Sequence, residues 1–294
     1  MDATRHIKGT TRLYGSVGDP VATVKSPELL NRLFCEQRVD AVCVPFRVKA
    51  GDLSAFVAGA RTVRNLSGLL VTMPHKQEML SFVDELHPTA RQVGALNIIR
   101  CDDEGRWVGA MFDGVGCVLG MQWEGHPPAN KSVLLVGAGG AGRAIAFAVA
   151  DAGARSLTIF DIDERRADEL ARSVAAATGC ATSFGAPDPR GHEIVINATA
   201  LGMKPGDAMP VDPNRLEPGS TVVDIITTPD PTPLCRAALE HGCRTQGGRP
   251  MHEGQAVHAL RFLGFDYLPE GKSLQDIGLP SLPANDAAPL KPKF

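Results

Sequence analysis

No C-x-x-C pair occurs among the seven cysteines, Cys35, Cys43, Cys101, Cys117, Cys180, Cys235 and Cys243. Their odd number argues against a disulfide framework. The 35/43 and 235/243 spacings have no histidine pair at zinc-ligand spacing beside them, and His252 and His258 are not a same-face helical step apart. No metal site is expected, and buried or incidental thiols account better for the cysteines. Apolar runs long enough to span a membrane are also missing, because residues 133–150 are interrupted by glycines and Arg143, well short of the ~20 unbroken apolar residues a span needs. An excess of one charge is absent as well: 30 Lys and Arg stand against 33 Asp and Glu, interspersed, for a net charge of −3. That excludes a broad basic face for nucleic acid or an anionic membrane, and leaves a small molecule as the expected partner. Residues 1–10 carry Asp2, Arg5 and Lys8 with no apolar run behind them. A secretory signal is therefore not expected, and a cytoplasmic protein is.

What is present suits a globular chain, with 44% apolar and 21% charged residues over 294 positions. At roughly 150 residues per domain this predicts two domains. Strand and helix patterns alternate without internal repeats, which predicts α/β architecture with parallel sheet. The early elements are a strand over 12–17, a helix from Ser26-Pro27 to about Gln37, a strand over 41–46, a helix over 51–62 and a strand over 68–72. Ser26 suits an N-cap and Pro27 the first helical position. A helix starting near Phe112 leaves this layer, and after Gly125-His126-Pro127-Pro128 a second strand–helix series begins at Ser132. A last helix is expected over about 254–263 after Gly247-Gly248-Arg249-Pro250, and the proline-rich residues 279–294 are expected to form a poorly ordered tail.

Ser132 to Val136 is a continuous apolar strand, followed by Gly137-Ala138-Gly139-Gly140-Ala141-Gly142 and a long apolar helix from Arg143. Strand, G-x-G-x-x-G and helix in that order form the context in which the glycine pattern signals a dinucleotide. Gly137 permits the tight turn, Gly139 the approach of a pyrophosphate, and Gly142 close helix packing, while Gly140 lies where N–H groups meet phosphate. The next strand, 156–160, runs into Asp161, nineteen residues after Gly142 and near the spacing of a ribose-binding acid. A carboxylate there accepts from both ribose hydroxyls and repels a 2′-phosphate, so NAD is favoured and NADP remains open. In the competing reading Asp161 and Asp163 only cap the next turn, while Arg165 and Arg166 clamp a phosphate. Thr199 and Met203 follow a strand over 193–196 and are candidates to touch the dinucleotide.

Further segments resemble the shikimate/quinate dehydrogenase family: Gly18-Asp19-Pro20-Val21-Ala22 with Lys25-Ser26-Pro27, Val71-Thr72-Met73-Pro74-His75-Lys76, Gly94-Ala95-Leu96-Asn97, Asp113-Gly114, Asn197-Ala198-Thr199 with Leu201-Gly202-Met203, Thr232-Pro233-Leu234, and Pro250-Met251 with Gln255. The resemblance extends to about Phe265. It implies an N-terminal α/β substrate domain over 1–115, completed by a helix near 250–268, and a Rossmann domain over 116–245. It also implies Lys76 and Asp113 as the catalytic pair, with Ser26, Thr72, Asn97 and Gln255 as substrate ligands in a cleft between the domains. The chemistry agrees, since oxidising a secondary alcohol needs a hydride acceptor and a base for the hydroxyl proton, and a lysine steadied by a carboxylate serves as that base. Without the resemblance, Lys76 reads as a solvated lysine, Asp113 and Ser26 as helix caps, Thr72 as a strand-end hydroxyl, Asn97 as a turn amide and Gln255 as an exposed helix residue.

The resemblance breaks at several polar positions. Val24 stands for a carboxylate-binding serine, Leu70 for an asparagine before Val71, Met111-Phe112 for Asn-Thr before Asp113, Ile98 for a threonine after Asn97, and Thr227 for a tyrosine. Leu70, Met111 and Phe112 are expected to line the pocket with apolar surface, with Thr23, Lys25 and Thr227 in partial compensation. The leading expectation is NAD(P)-dependent interconversion of an alicyclic hydroxy-acid and its ketone, shikimate/3-dehydroshikimate or quinate/3-dehydroquinate. The alternatives are the same chemistry on another small hydroxy-acid, or a nucleotide-responsive regulatory protein without catalysis. A homodimer is conceivable, although no heptad pattern requires one.

Overall fold

The computed structural model describes residues 7–22, 24–36, 38–102 and 104–265. The N-terminal stretch 1–6, Thr23 and the expected tail at 279–294 lie outside the described residues. Two compact units emerge. One comprises the chain up to Phe112 together with the chain from Val257 onward, and the other runs from Asp113 to Ala256.

In the first unit, β1 (Arg12–Gly18), α1 (Ser26–Glu36), β2 (Ala41–Arg47), α2 (Leu53–Ala60) and β3 (Leu66–Val71) follow the alternation seen in the sequence. A single 3-10 turn at Ala50–Asp52 precedes α2, so that helix starts later than its apolar pattern suggests. Short β4 (Glu85–Leu86) and α3 (Pro88–Val93) come next, followed by the hairpin of β5 (Ile98–Cys101) and β6 (Trp107–Ala110). The sheet order is β2-β1-β3-β5-β6-β4. Strands β1, β2 and β3 are parallel, but β5 runs antiparallel to both β3 and β6. The parallel sheet expected here is thus mixed, because the connection from β5 to β6 is too short for the crossover that parallel neighbours need. Under the sheet, Tyr14, Phe34 and Phe265 form a ring cluster with centroids 5.2 to 6.1 Å apart.

In the second unit, α4 (Asp113–Trp123) leads to β7 (Ser132–Val136), α5 (Gly140–Asp151), β8 (Ser156–Phe160), α6 (Glu164–Thr178), β9 (Ala181–Phe184), β10 (Ile194–Asn197), β11 (Thr221–Asp224), α7 (Pro233–Glu240) and β12 (Arg244–Gln246). The strand order β12-β11-β10-β7-β8-β9 is parallel throughout. This is the doubly wound arrangement, and its order reverses between β7 and β10, which opens a ligand crevice at their carboxyl ends. All five residues of β7 are buried, as expected of a central strand covered on both faces. Asp163 caps α6 by accepting from the Arg165 N–H, and Thr232 caps α7 by accepting from the Cys235 N–H, with Pro233 at the first helical position.

The last helix, α8 (Arg249–Phe262), begins five residues before the expected start. Arg249-Pro250 is helix rather than punctuation, since a proline in the first turn forfeits no intrahelical hydrogen bond. Among the described residues no helix is long and apolar enough to cross a membrane.

Candidate active site

The second unit builds the glycine loop where its strand order reverses. Gly137 follows β7 with φ +107°, a left-handed backbone that glycine adopts without steric cost, and a Cβ there would approach Thr199 Cγ2 to 2.9 Å. At Gly142 a Cβ would overlap the Gly137 carbonyl oxygen. Gly139 differs from both: a Cβ built on it meets nothing within 4 Å. It is the N-cap residue of α5 and supplies no side-chain cap hydrogen bond to the first turn, which starts at Gly140. An open approach over an uncapped helix N-terminus is what a pyrophosphate requires, and these residues fit a dinucleotide.

Asp161 follows β8 beside this loop. Its Oδ2 accepts from the Ala138 N–H at 2.7 Å and its Oδ1 from the Asp163 N–H at 3.0 Å. The carboxylate thus ties the glycine loop to the turn into α6, a role the sequence did not reveal. The competing reading holds in part. Asp163 does cap α6, but Arg165 and Arg166 both lie 3.6 Å from the Asp163 carboxylate as ion pairs. Ile162, between the two acids, is 95% exposed.

Across the switch point, Asn197 ends β10 and organises the loop that carries Thr199 and Met203. Its Oδ1 accepts from the Thr199 N–H (3.0 Å) and hydroxyl (2.7 Å), and its Nδ2 donates to the Leu201 carbonyl (3.2 Å) and to Asp224 (3.0 Å). Asp224, fully buried, also accepts from the Ile226 N–H (3.2 Å) and the Thr232 hydroxyl (2.7 Å). Burial raises its pKa, opposed chiefly by the Thr232 hydrogen bond. Further along, Asp207 receives the Gly202 and Lys204 N–H groups at 3.1 and 2.9 Å and folds the loop around Met203. Asn197, Asp207 and Asp224 escaped the sequence reading as site-shaping residues. The Thr232-Pro233 helix start was a usable signal for where Asp224 would find a partner.

The first unit places its candidates at the carboxyl end of β3 and the start of β5. Thr72 follows β3 with its N–H on the Val17 carbonyl (2.9 Å), and the Asp19 N–H reaches the Met73 carbonyl (2.9 Å), so the segments after β1 and β3 are laced together. The Lys76 carbonyl accepts from the Leu96 N–H at 2.8 Å, which brings Lys76 beside Asn97. Asn97 Oδ1 accepts from the Phe112 N–H at 3.1 Å and holds the backbone that leads into Asp113. His75, fully buried, anchors the same segment through Nε2 to the Val48 carbonyl at 2.7 Å. Ser26 is the first residue of α1 and is half-buried.

Met111 and Phe112 are 3% and 6% exposed, and the Phe112 ring packs against His87, His258 and Phe262 with centroids 5.7 to 5.9 Å apart. The N–H groups of both are bonded to Thr89 and Asn97. Leu70, the third residue expected to line an apolar pocket, is half-buried.

In the second unit, buried Asp113 opens α4, where the helix N-terminus favours a negative charge. Gln255 lies on α8 and is hydrogen-bonded to His252. Burial pushes the Cys43, Cys101 and Cys117 thiols up to about 12, which keeps them protonated and unreactive. Among the described residues no group of three or more His, Cys, Asp or Glu is placed to hold a metal.

Comparison with known proteins decides the family. The shikimate dehydrogenase substrate binding domain matches residues 17–99. Shikimate dehydrogenase (NADP(+)) of Desulforamulus reducens is 36% identical over 267 residues, covering 86% of this chain and 90% of that one. The chain belongs to the shikimate dehydrogenase family. It is accordingly an oxidoreductase that acts on a CH–OH group with a nicotinamide cofactor. The crystal structure of shikimate 5-dehydrogenase from Listeria monocytogenes, in complex with shikimate and NAD, superposes with a TM-score of 0.80 at 30% identity, covering 90% of this chain and 96% of that one. Quinate dehydrogenase from Corynebacterium glutamicum, in complex with NAD, gives 0.76 at 31% identity and covers 86% and 93%.

Proposed function

We propose that this dehydrogenase interconverts shikimate and 3-dehydroshikimate, or the corresponding quinate pair, with NAD preferred to NADP. The observation that carries the reading is the Leu96-to-Lys76 backbone bond, which ties the chain at Lys76 to the segment leading into Asn97. Lys76 takes the proton from the hydroxyl being oxidised and returns it in reduction, and Asp113 is the carboxylate that the family pattern carries over as the second catalytic residue. Ser26 and Thr72 supply hydroxyl donors for the acid's carboxylate, while Asn97 and Gln255 supply amides for its ring hydroxyls. A bound nicotinamide supplies the hydride acceptor in oxidation and the donor in reduction. The second unit contributes the uncapped start of α5 for the pyrophosphate and the turn at Asp161 for the adenosine ribose.

The preference for NAD rests on charge. Asp161 is held after β8 by two N–H groups, and at the position of the ribose-binding acid its negative oxygens disfavour a 2′-phosphate. Relatives carry both cofactors in their names, so the choice is made by this chain's own residues. Steady-state kinetics with shikimate and quinate, each with NAD and NADP, test the reading. At least ~10-fold higher kcat/KM with NAD, about 1.4 kcal/mol, is expected, and equal values would remove Asp161 from cofactor choice. Lys76→Ala should abolish turnover while leaving NAD affinity within about twofold, because the lysine belongs to proton transfer and not to dinucleotide binding. Turnover that survives the substitution would remove Lys76 from the mechanism. Val24 and Leu70 favour a second reading, another small hydroxy-acid less polar at those positions, which efficient shikimate or quinate turnover would eliminate.

A further inference from the structure

Helix α3 is capped by a histidine. The Thr89 N–H meets His87 Nδ1 at 3.3 Å, and because a backbone N–H only donates, Nδ1 is the acceptor and carries no proton. The Thr89 hydroxyl stands 2.9 Å from the same nitrogen, so it donates there as well. Its oxygen is left to accept, and it receives the Met111 N–H at 3.2 Å, a bond whose direction is again set by the backbone donor. The next N–H, of Phe112, is held by Asn97. We infer that His87, acting through Thr89, is a positioning residue for Asp113: the neutral ring steadies the Met111–Phe112 backbone that leads into Asp113, and a protonated ring releases it. This rests on the reading of Asp113 as the second catalytic residue.

The geometry sets protonation against this arrangement. A proton on Nδ1 would point at the Thr89 N–H, donor against donor, and the cap of α3 would be lost. The new cation would also stand at a helix N-terminus, where positive charge is disfavoured. From β5, Arg100 brings a second cation, its guanidinium 5.2 Å over the Phe262 ring. From α8, Phe262 meets the imidazole edge-on with centroids 5.9 Å apart, and His258 stacks on Phe112, a ring that His87 also touches. On α3 itself, Arg91 is turned to the Leu86 carbonyl. Burial, and then Arg100, hold the His87 pKa below its ordinary value. The neutral ring therefore belongs to the folded state, and its contribution is lost as pH falls from the ordinary histidine range toward the folded value. The His87 N–H is bonded to the Gly109 carbonyl on β6 at 2.8 Å, so the start of α3 grips the stretch before Asp113 at two points.

Four variants of the full chain test this: His87→Leu, His87→Asn, Thr89→Val and Asp113→Asn. Their kcat is measured from about pH 7.5 to about pH 5, across the ordinary histidine range, with saturating NAD and whichever of shikimate and quinate the unsubstituted protein oxidises faster. Leucine removes the acceptor, whereas asparagine restores one that does not titrate, since its Oδ1 stands the same number of bonds from Cβ as the histidine Nδ1. Valine cuts the relay at the hydroxyl. At about pH 7.5, His87→Leu and Thr89→Val are expected to lower kcat about 3- to 10-fold, the worth of one oriented hydrogen bond, and His87→Asn to return it to within about twofold. The ratio of kcat in His87→Asn to kcat in the unsubstituted protein cancels every titration the two share. It should rise at least about threefold toward about pH 5, because only the unsubstituted protein loses its cap. KM for NAD, unchanged in the His87 and Thr89 variants, reports that the second unit is folded. A ratio that stays flat, or Thr89→Val with full kcat, overturns the inference. An inactive Asp113→Asn beside a flat ratio strikes the role of His87 alone. If Asp113→Asn keeps kcat within about twofold, the catalytic role of Asp113 falls and the inference falls with it.

Discussion

Asp224 shows how one side chain can carry more than its own contacts. It is fully buried, and its partners Asn197, Ile226 and Thr232 all donate to it, so the network fits the ionised carboxylate even though burial raises the pKa. Asp224→Asn replaces one acceptor oxygen by a donor and sets it against donors already in place. A loss of about 1–3 kcal/mol is expected from urea unfolding, the usual cost of leaving a buried polar group unmatched. Gly142→Ala should be as damaging for a steric reason, since the new methyl would overlap the Gly137 carbonyl oxygen. Moving that carbonyl distorts the dinucleotide loop, and NAD affinity measured by fluorescence titration should fall about 5- to 150-fold, from the ~1–3 kcal/mol typical of an overpacked site. Gly142 was legible as a packing glycine from its place in the pattern. The second role of Asp161, as the bond partner of Ala138, was not, because it depends on which strand ends are neighbours.

Elements were legible where the pattern was local. Strands β7 and β8 match the expected 132–136 and 156–160, the first an apolar run between polar turns and the second an alternation of half-buried and buried residues. The β5–β6 hairpin is not legible in the sequence, being two four-residue strands that carry no long apolar pattern and join the sheet through β3, about thirty residues earlier. The start of α8 was misplaced because glycine and proline together read as a break. Helix α7 offers a test of how local chemistry supports the site. Thr232 both caps this helix and donates to Asp224, so Thr232→Ala should cost more than the ~1 kcal/mol of an ordinary cap. Thr232→Ser keeps the hydroxyl and should stay within a few tenths of a kcal/mol of the unsubstituted protein, judged by thermal unfolding.

At the scale of the whole molecule, acid sensitivity should trace to the anchoring of the second sheet. Glu193 receives Lys131, Arg155 and the Ser132 N–H, and its pKa falls from an ordinary 4.5 to about 2, mainly through the Lys131 hydrogen bond. A depressed carboxylate stabilises the fold above its unfolded pKa and loses that contribution as pH falls toward the folded value. Stability should therefore decline between about pH 4.5 and 2, and Glu193→Gln should flatten that part of the melting profile. The chain's choice between dinucleotides is constrained in a way no glycine pattern discloses. Replacing Asp161 is the single step that the proposed NAD preference suggests toward a phosphorylated cofactor, but the same carboxylate holds Ala138 and the turn into α6 in place. Removing it would loosen the glycine loop itself, so a change at this position has to be matched by a rebuilt turn.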